Sequence, residues 1–117
     1  MDPEERNPAY LWDMRDSAQL VADFLRGETY AGFLNNKMLQ SAVERQLEII
    51  GEAARRVTPQ FQQDHREIPW HSIIGLRNIL AHEYGDVQVD RIWLIATTSI
   101  PQLVELLESL IPPFEGY

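Results

Sequence analysis

Cysteine is absent from this chain of 117 residues, histidine occurs three times, and lysine occurs once. Without cysteine there is no disulfide, no thiolate nucleophile and no sulfur-ligated zinc or iron–sulfur site. The three histidines, His65, His71 and His82, show neither the His-x3-His nor the His-Glu-x-x-His spacing of metal-binding helices. We therefore expect neither a metal nor another cofactor.

Long apolar runs and positive charge are also scarce. No apolar run approaches the roughly 20 residues that span a bilayer, and the acidic N-terminus lacks the pattern of a signal peptide. We therefore expect a cytoplasmic protein with no membrane association. The 18 acidic and 10 basic residues give a net charge of −8. Because binding along a phosphate backbone needs a basic surface, a nucleic-acid site here must be local or completed by a partner.

The pattern of apolar residues predicts helices throughout the chain. These residues recur at intervals of three and four, and no stretch alternates with the period of a strand. The length suits one domain over residues 1–117. We expect an all-α, antiparallel bundle of four to five helices joined by short connections. The predicted helices cover about residues 8–26, 36–57, 69–83 and 90–111, with a loop at 27–35 and a connector at 59–68 that holds one helical turn around Phe61.

Local signals predict where these helices begin, end and meet. Asn7 and Asp90 are suitable N-caps for the first and last helices, and Gly27 is suited to ending the first. Gly51 lies inside the second helix, where a glycine usually indicates close approach of another helix. Pro101 is expected to kink or split the last helix.

Four hydrogen-bonding side chains converge near the end of the third predicted helix: Arg77, Asn78, His82 and Tyr84. Asn78 and His82 are four residues apart and share one face, with Arg77 at its edge. Arginine grips phosphate oxygens, and histidine transfers protons near neutral pH. These groups suit metal-independent RNA cleavage, in which Asn78 orients the imidazole or the phosphate. One histidine does not easily act as both base and acid, so a dimer would supply the second.

Spacing alone leaves bland interpretations open. A histidine at a helix C-terminus is favourable without any function, and Arg77 can simply pair with Glu48 or Glu52. These two glutamates share a helical face, but nearby arginines make a salt-bridged surface a better interpretation than a paired-carboxylate site. Trp70 is expected in the core rather than as a platform for stacking a base, and His71 is expected on the surface.

Three motifs in order resemble the HepT-like family of HEPN proteins. They are the segment from Leu47 to Arg56, the triplet Ile68-Pro69-Trp70, and the segment from Ile74 to Tyr84. Residues 90–93, Asp-Arg-Ile-Trp, are similar to the start of the family's last helix. The resemblance covers about residues 10–110.

This resemblance implies a HEPN-like bundle that dimerises and sets two Arg-x4-His motifs in a shared cleft. It implies a metal-independent endoribonuclease that is the toxin of a toxin–antitoxin module, with transfer RNA as the expected substrate. In that family His82 would be the acid/base, Arg77 would stabilise the phosphate, and Asn78 would be the orienting residue. An MntA-like minimal nucleotidyltransferase would be the antitoxin and would transfer AMP from ATP to Tyr84.

Two other functions remain open on the sequence. The chain is alternatively a non-catalytic partner of a nucleotidyltransferase that only presents Tyr84 to it. A third interpretation is a purely structural helical dimer, in which Arg77 and His82 pair with acidic residues. A test for RNA cleavage by the isolated protein distinguishes the ribonuclease toxin from both the non-catalytic partner and the structural dimer.

Overall fold

The structure is a computed structural model that describes residues 2–82 and 88–111, and for residues 81–82 it describes the helical backbone alone. All regular secondary structure in these ranges is helical. A 3₁₀ turn, Pro3–Arg6, precedes the α-helices, which are α1 Asn7–Phe24, α2 Tyr30–Leu34, α3 Lys37–Arg56, α4 Pro59–Asp64, α5 Trp70–His82, α6 Val89–Leu94 and α7 Ile100–Leu110. A π-helical segment, Ile95–Ser99, joins α6 to α7. The predicted all-α class is confirmed.

Helices α1 and α3 form the centre of the bundle, with α5 packed on α3 and α7 packed on α1. Asn7, the first residue of α1, bonds to Thr58 just beyond the end of α3, so these two helices run antiparallel. The apolar residues that recur at intervals of three and four form the core. Its buried residues from α1 and α3 include Leu11, Met14, Ala18, Val21, Val43, Leu47, Ile50 and Ala54. The predicted helical bundle is therefore confirmed.

The prediction that Asn7 caps α1 is wrong. The N-cap residue is Arg6, which makes no side-chain cap bond, because the preceding 3₁₀ turn runs directly into the helix. Asn7 is instead buried, with 3% exposure. Its amide nitrogen donates to the Thr58 hydroxyl over 3.0 Å, and its amide oxygen accepts from the Thr58 backbone N–H over 3.1 Å. Asn7 thus joins the start of α1 to the start of α4.

The prediction that Asp90 caps the last helix is also wrong. Gln88 is the N-cap of α6, and Asp90 lies in the first turn, where its carboxylate accepts from the Arg91 backbone N–H over 2.9 Å. Acidic residues are favoured in both places because each lies near the positive end of the helix dipole. Sequence preference alone does not separate the two positions.

The predicted interruption of the last helix at Pro101 takes the form of a π-helical segment, Ile95–Ser99, which separates α6 from α7 just before the proline. The Ile100 N–H donates to the carbonyl of Ile95, five residues back, and the backbone stays in the right-handed helical region. A proline ring clashes with the carbonyl four residues before it. The wider π turn makes room for the ring, so α6, the π segment and α7 form one long stretch.

The connecting segments hold more helix than expected. The predicted loop at 27–35 contains α2, which Thr29 caps by accepting from the Gly32 backbone N–H over 3.1 Å. Phe33 is fully buried, whereas Tyr30 is 38% exposed. Gly27 has a φ of 77°, which suits the predicted stop after α1. Among the helices that the structure describes, none is long and apolar enough to cross a membrane.

Candidate active site

The beginning of α5, the helix that carries the candidate site, is anchored by Trp70. This residue is 6% exposed, and its indole N–H donates to the His65 carbonyl oxygen over 2.9 Å. The Phe61 ring stands edge-on to the indole, with centroids 6.3 Å apart. Since the indole is buried among protein groups, the predicted core role of Trp70 is confirmed, and a role in stacking a nucleotide base does not fit.

At Gly51, α5 lies so close to α3 that no side chain fits between them. A Cβ atom on Gly51 would overlap the Cβ atom of Arg77, and it would lie 2.9 Å from the Arg77 Cγ atom and 3.0 Å from the Ile73 carbonyl oxygen. The predicted close approach of a helix at Gly51 is confirmed. The stem of Arg77 therefore rests directly on the backbone of α3.

The guanidinium of Arg77 has a partner on each of two helices. Its Nη1 atom donates to the amide oxygen of Asn78 over 3.2 Å, and its Nη2 atom lies 3.6 Å from a carboxylate oxygen of Glu52 on α3. The Arg77 side chain is 18% exposed and that of Glu52 is 38% exposed. Of the two pairings considered for Arg77, the one with Glu52 is formed. The guanidinium is thus restrained at the edge of the protein surface rather than free in solvent.

His82 is the last residue of α5, and the helix runs unbroken to it from Trp70. The helical backbone places His82 on the same face as Asn78, whose side chain is exposed. The His82 side chain lies outside the described residues, and so does Tyr84. The structure therefore brings Arg77 and Asn78 together directly and relates them to His82 through the helix backbone.

Negative charge lines α3 beside this site. Glu44, Glu48 and Glu52 recur every four residues and so share one face of the helix. Burial raises the pKa of the Glu44 carboxyl above its ordinary value, and the neighbouring Glu48 adds to the effect. Glu48 itself pairs with Arg45 over 3.2 Å. These contacts agree with the predicted salt-bridged surface and not with a paired-carboxylate site.

The other histidines of the described residues lie away from Arg77. His71 is exposed at the start of α5, as predicted, and His65 faces Glu67 at 3.3 Å beyond the end of α4. Within residues 2–82 and 88–111, no group of three or more His, Asp or Glu residues is arranged to hold a metal ion.

An open, mainly apolar groove of about 540 Å³ runs along α5. It lies between α5 and the stretch formed by α6, the π segment and α7, with α3 contributing to its floor. Leu94 at its edge is 62% exposed. Several apolar residues of α5 are only partly buried: Ile73, Ile74, Leu76 and Ile79. Helix α5 thus has an apolar side that α3 does not cover.

The sequence placed Arg77 at the edge of the face that Asn78 and His82 share, but it did not single out Glu52 as a site residue. Glu48 and Glu52 were both candidate partners for Arg77. They are four residues apart on one helical face, so the sequence did not favour either of them. The adjacent Gly51 was the available signal, because the residue next to a point of helix contact is well placed to reach across it. Only the packing of α5 on α3 selects Glu52.

Comparisons with known proteins identify the family of this chain. The family model described as "Ribonuclease HepT-like" matches residues 14–110. A protein of Methanocaldococcus jannaschii that is provisionally named an RNase is 39% identical over 100 residues, covering 86% of this chain and 92% of its own length. Another from the same organism, also provisionally named an RNase, is 32% identical over 114 residues, covering 97% and 94% of the two chains.

A third relative, from Thermococcus cleftensis, is provisionally named a ribonuclease HepT. It is 38% identical over 101 residues, which is 86% of this chain and 92% of that protein. No solved structure matches the chain. The prediction of a ribonuclease family from the ordered motifs is confirmed. With a family model covering most of its length and several relatives above 30% identity, the chain belongs to the ribonuclease HepT-like family.

Proposed function

We propose that this protein is the toxin of a toxin–antitoxin pair, a metal-independent endoribonuclease that cleaves transfer RNA in the cytoplasm. The observation that carries the proposal is the restrained guanidinium of Arg77, five residues before a histidine that ends the same helix. Membership in a ribonuclease family supports RNA as the substrate.

The proposed chemistry uses the 2′-hydroxyl of RNA as the nucleophile. His82 takes the proton from this hydroxyl, and its oxygen attacks the adjacent phosphorus. The charge that builds on the phosphorane is stabilised by Arg77, while Asn78 orients the reacting groups. A protonated imidazole donates a proton to the leaving 5′-oxygen. The products are a 2′,3′-cyclic phosphate and a 5′-hydroxyl, so neither a metal nor an added water is needed for the cut.

Helix geometry supports a site made by two subunits. Five residues of α-helix separate Arg77 from His82 by about 7.5 Å along the axis and about 140° around it. The backbone of one α5 helix therefore directs Arg77 and His82 to different sides of the helix. A single copy of α5 does not readily bring both side chains to the same phosphate. A two-fold axis near α5 would place two arginines and two histidines in one cleft. The partly uncovered apolar residues of α5 and the adjacent groove suit such a contact.

The proposed antitoxin is an MntA-like minimal nucleotidyltransferase that modifies Tyr84. The tyrosine hydroxyl would attack the α-phosphate of ATP, forming a tyrosine–AMP phosphodiester and releasing pyrophosphate. Tyr84 follows His82 by two residues, so the attached phosphate would compete with RNA for Arg77. The acidic balance of the chain supports this arrangement, because RNA binding would then depend on few cations, which one modification can neutralise.

The experiment is to incubate the purified protein with total transfer RNA in EDTA and to identify the ends of the fragments. We expect fragments with 2′,3′-cyclic phosphate and 5′-hydroxyl ends from the unmodified protein and none from His82→Ala. His65→Ala is the control, since His65 lies at the end of α4 and does not line the groove along α5. Identical fragments from the unmodified protein and His82→Ala would contradict the proposal and leave the non-catalytic partner of a nucleotidyltransferase as the better account.

A further inference from the structure

The contact between α3 and α5 at Arg77 consists of two consecutive residues of α3 with different roles. Gly51 lets the stem of Arg77 rest on the α3 backbone, as shown by the overlap that a Cβ atom there would cause. Glu52, the next residue, reaches the other end of the same side chain, with 3.6 Å between its carboxylate oxygen and Nη2 of Arg77. Two consecutive residues of α3 thus restrain both the aliphatic stem and the guanidinium of Arg77.

The two polar partners of Arg77 engage different nitrogen atoms. Asn78 accepts from Nη1 over 3.2 Å, while Glu52 faces Nη2. A guanidinium has five N–H donors, so these contacts leave donors for phosphate oxygens. An arginine side chain otherwise samples many rotamers, and fixing it during the reaction costs entropy. A partner that fixes it beforehand removes that cost from the transition state.

We propose that Glu52 is the positioning residue of Arg77, holding the guanidinium in the orientation that receives the scissile phosphate. The inference rests on the proposed function of Arg77 in RNA cleavage. Glu52 acts only through Arg77. The ion pair between Glu52 and Arg77 is partly exposed and contributes little to the free energy of folding. Loss of Glu52 should therefore lower kcat rather than stability.

A competing role would have the opposite consequence. If Glu52 were an inhibitory counter-ion that RNA must displace, removing its charge would raise activity. If the pair were only structural, removing it would lower the melting temperature and leave turnover alone. Positioning predicts lower turnover with little change in RNA affinity or in stability.

The test compares Glu52→Gln with Glu108→Gln. Glu108 lies on α7 and its carboxylate is 3.4 Å from Arg15, so its substitution removes the same charge from a similar arginine pair elsewhere. We expect Glu52→Gln to lower kcat about tenfold and to change KM less than about threefold. Glu108→Gln should match the unmodified protein, and Glu52→Asp should keep more activity than Glu52→Gln. The melting temperatures of these variants and of the unmodified protein should be equal.

A direct readout of Arg77 keeps this inference separate from the proposed function. Side-chain ¹⁵N NMR reports exchange of the Arg77 N–H protons with water, assigned by their loss in Arg77→Ala. We expect slower exchange in the unmodified protein than in Glu52→Gln. Unchanged or raised kcat in Glu52→Gln would overturn the positioning role. If the unmodified protein cleaves no RNA, the proposed function fails, and equal Arg77 exchange in the two proteins would then overturn this inference as well.

Discussion

The stem of Arg77 lies on Gly51, with 2.9 Å between the Arg77 Cγ atom and the place where a Cβ atom on that glycine would be. A side chain at Gly51 therefore has to displace α5. Gly51→Ala should destabilise the protein by about 2 kcal/mol despite the better helix propensity of alanine, because overpacking outweighs it. The measurement is urea unfolding at one fixed protein concentration.

Gly75, in the middle of α5, is the matched control for that substitution. A Cβ atom there meets nothing within 4 Å. Gly75→Ala should therefore be neutral or stabilise by up to about 1 kcal/mol. Equal effects of the two substitutions on the free energy of unfolding would contradict the claim that the close contact with Arg77 excludes a side chain at position 51.

Buried Asn7 provides a second stability prediction, independent of the site. Asn7→Ala removes both hydrogen bonds to Thr58 and leaves the Thr58 backbone N–H without its acceptor. We expect a loss of about 2 kcal/mol in the free energy of unfolding. Asn35→Ala is the comparison, since the Asn35 side chain is exposed and its amide donates to the Ala31 carbonyl of the adjacent α2. That change should cost less than about 0.5 kcal/mol, and a similar cost for both would contradict the account.

These residues show where the sequence was sufficient and where it was not. Apolar spacing predicted the core of α1 and α3, and Gly51 correctly indicated a close helix contact. Asn7 and Asp90 were misassigned as N-caps because capping preference is local, whereas their partners depend on a 3₁₀ turn before α1 and on the register of α6. Glu52 could not be chosen as the partner of Arg77 until α5 was placed on α3.

Glu44 predicts a dependence of stability on pH. Burial, with help from Glu48, raises the pKa of the folded Glu44 carboxyl. The folded state then holds this proton more tightly than the unfolded state, so ionisation of Glu44 weakens the fold as pH rises. Glu44→Gln should be more stable than the unmodified protein near pH 7. The difference should vanish near pH 3, where the Glu44 carboxyl is protonated in both the folded and the unfolded protein. Urea unfolding at both pH values measures it, and an advantage that grows on acidification would contradict it.

The proposed modification of Tyr84 can be tested by intact mass. With ATP and an MntA-like minimal nucleotidyltransferase, the proposed antitoxin, the protein should gain one AMP and lose RNA cleavage. Tyr84→Phe should gain no mass. Tyr30→Phe, which alters a tyrosine that is 38% exposed, should be modified normally. An AMP increment that survives Tyr84→Phe would remove Tyr84 as the acceptor.

The central claim is that α5 presents Arg77, restrained by Glu52 and Asn78, to an RNA phosphate. The most direct measurement is the single-turnover rate of transfer RNA cleavage in EDTA by Arg77→Ala, compared with Arg66→Ala at an exposed arginine. We expect Arg77→Ala to slow cleavage by at least about a hundredfold, as for loss of a charge-stabilising group, and Arg66→Ala to cleave at the unmodified rate. Equal rates for Arg77→Ala and the unmodified protein would contradict the account.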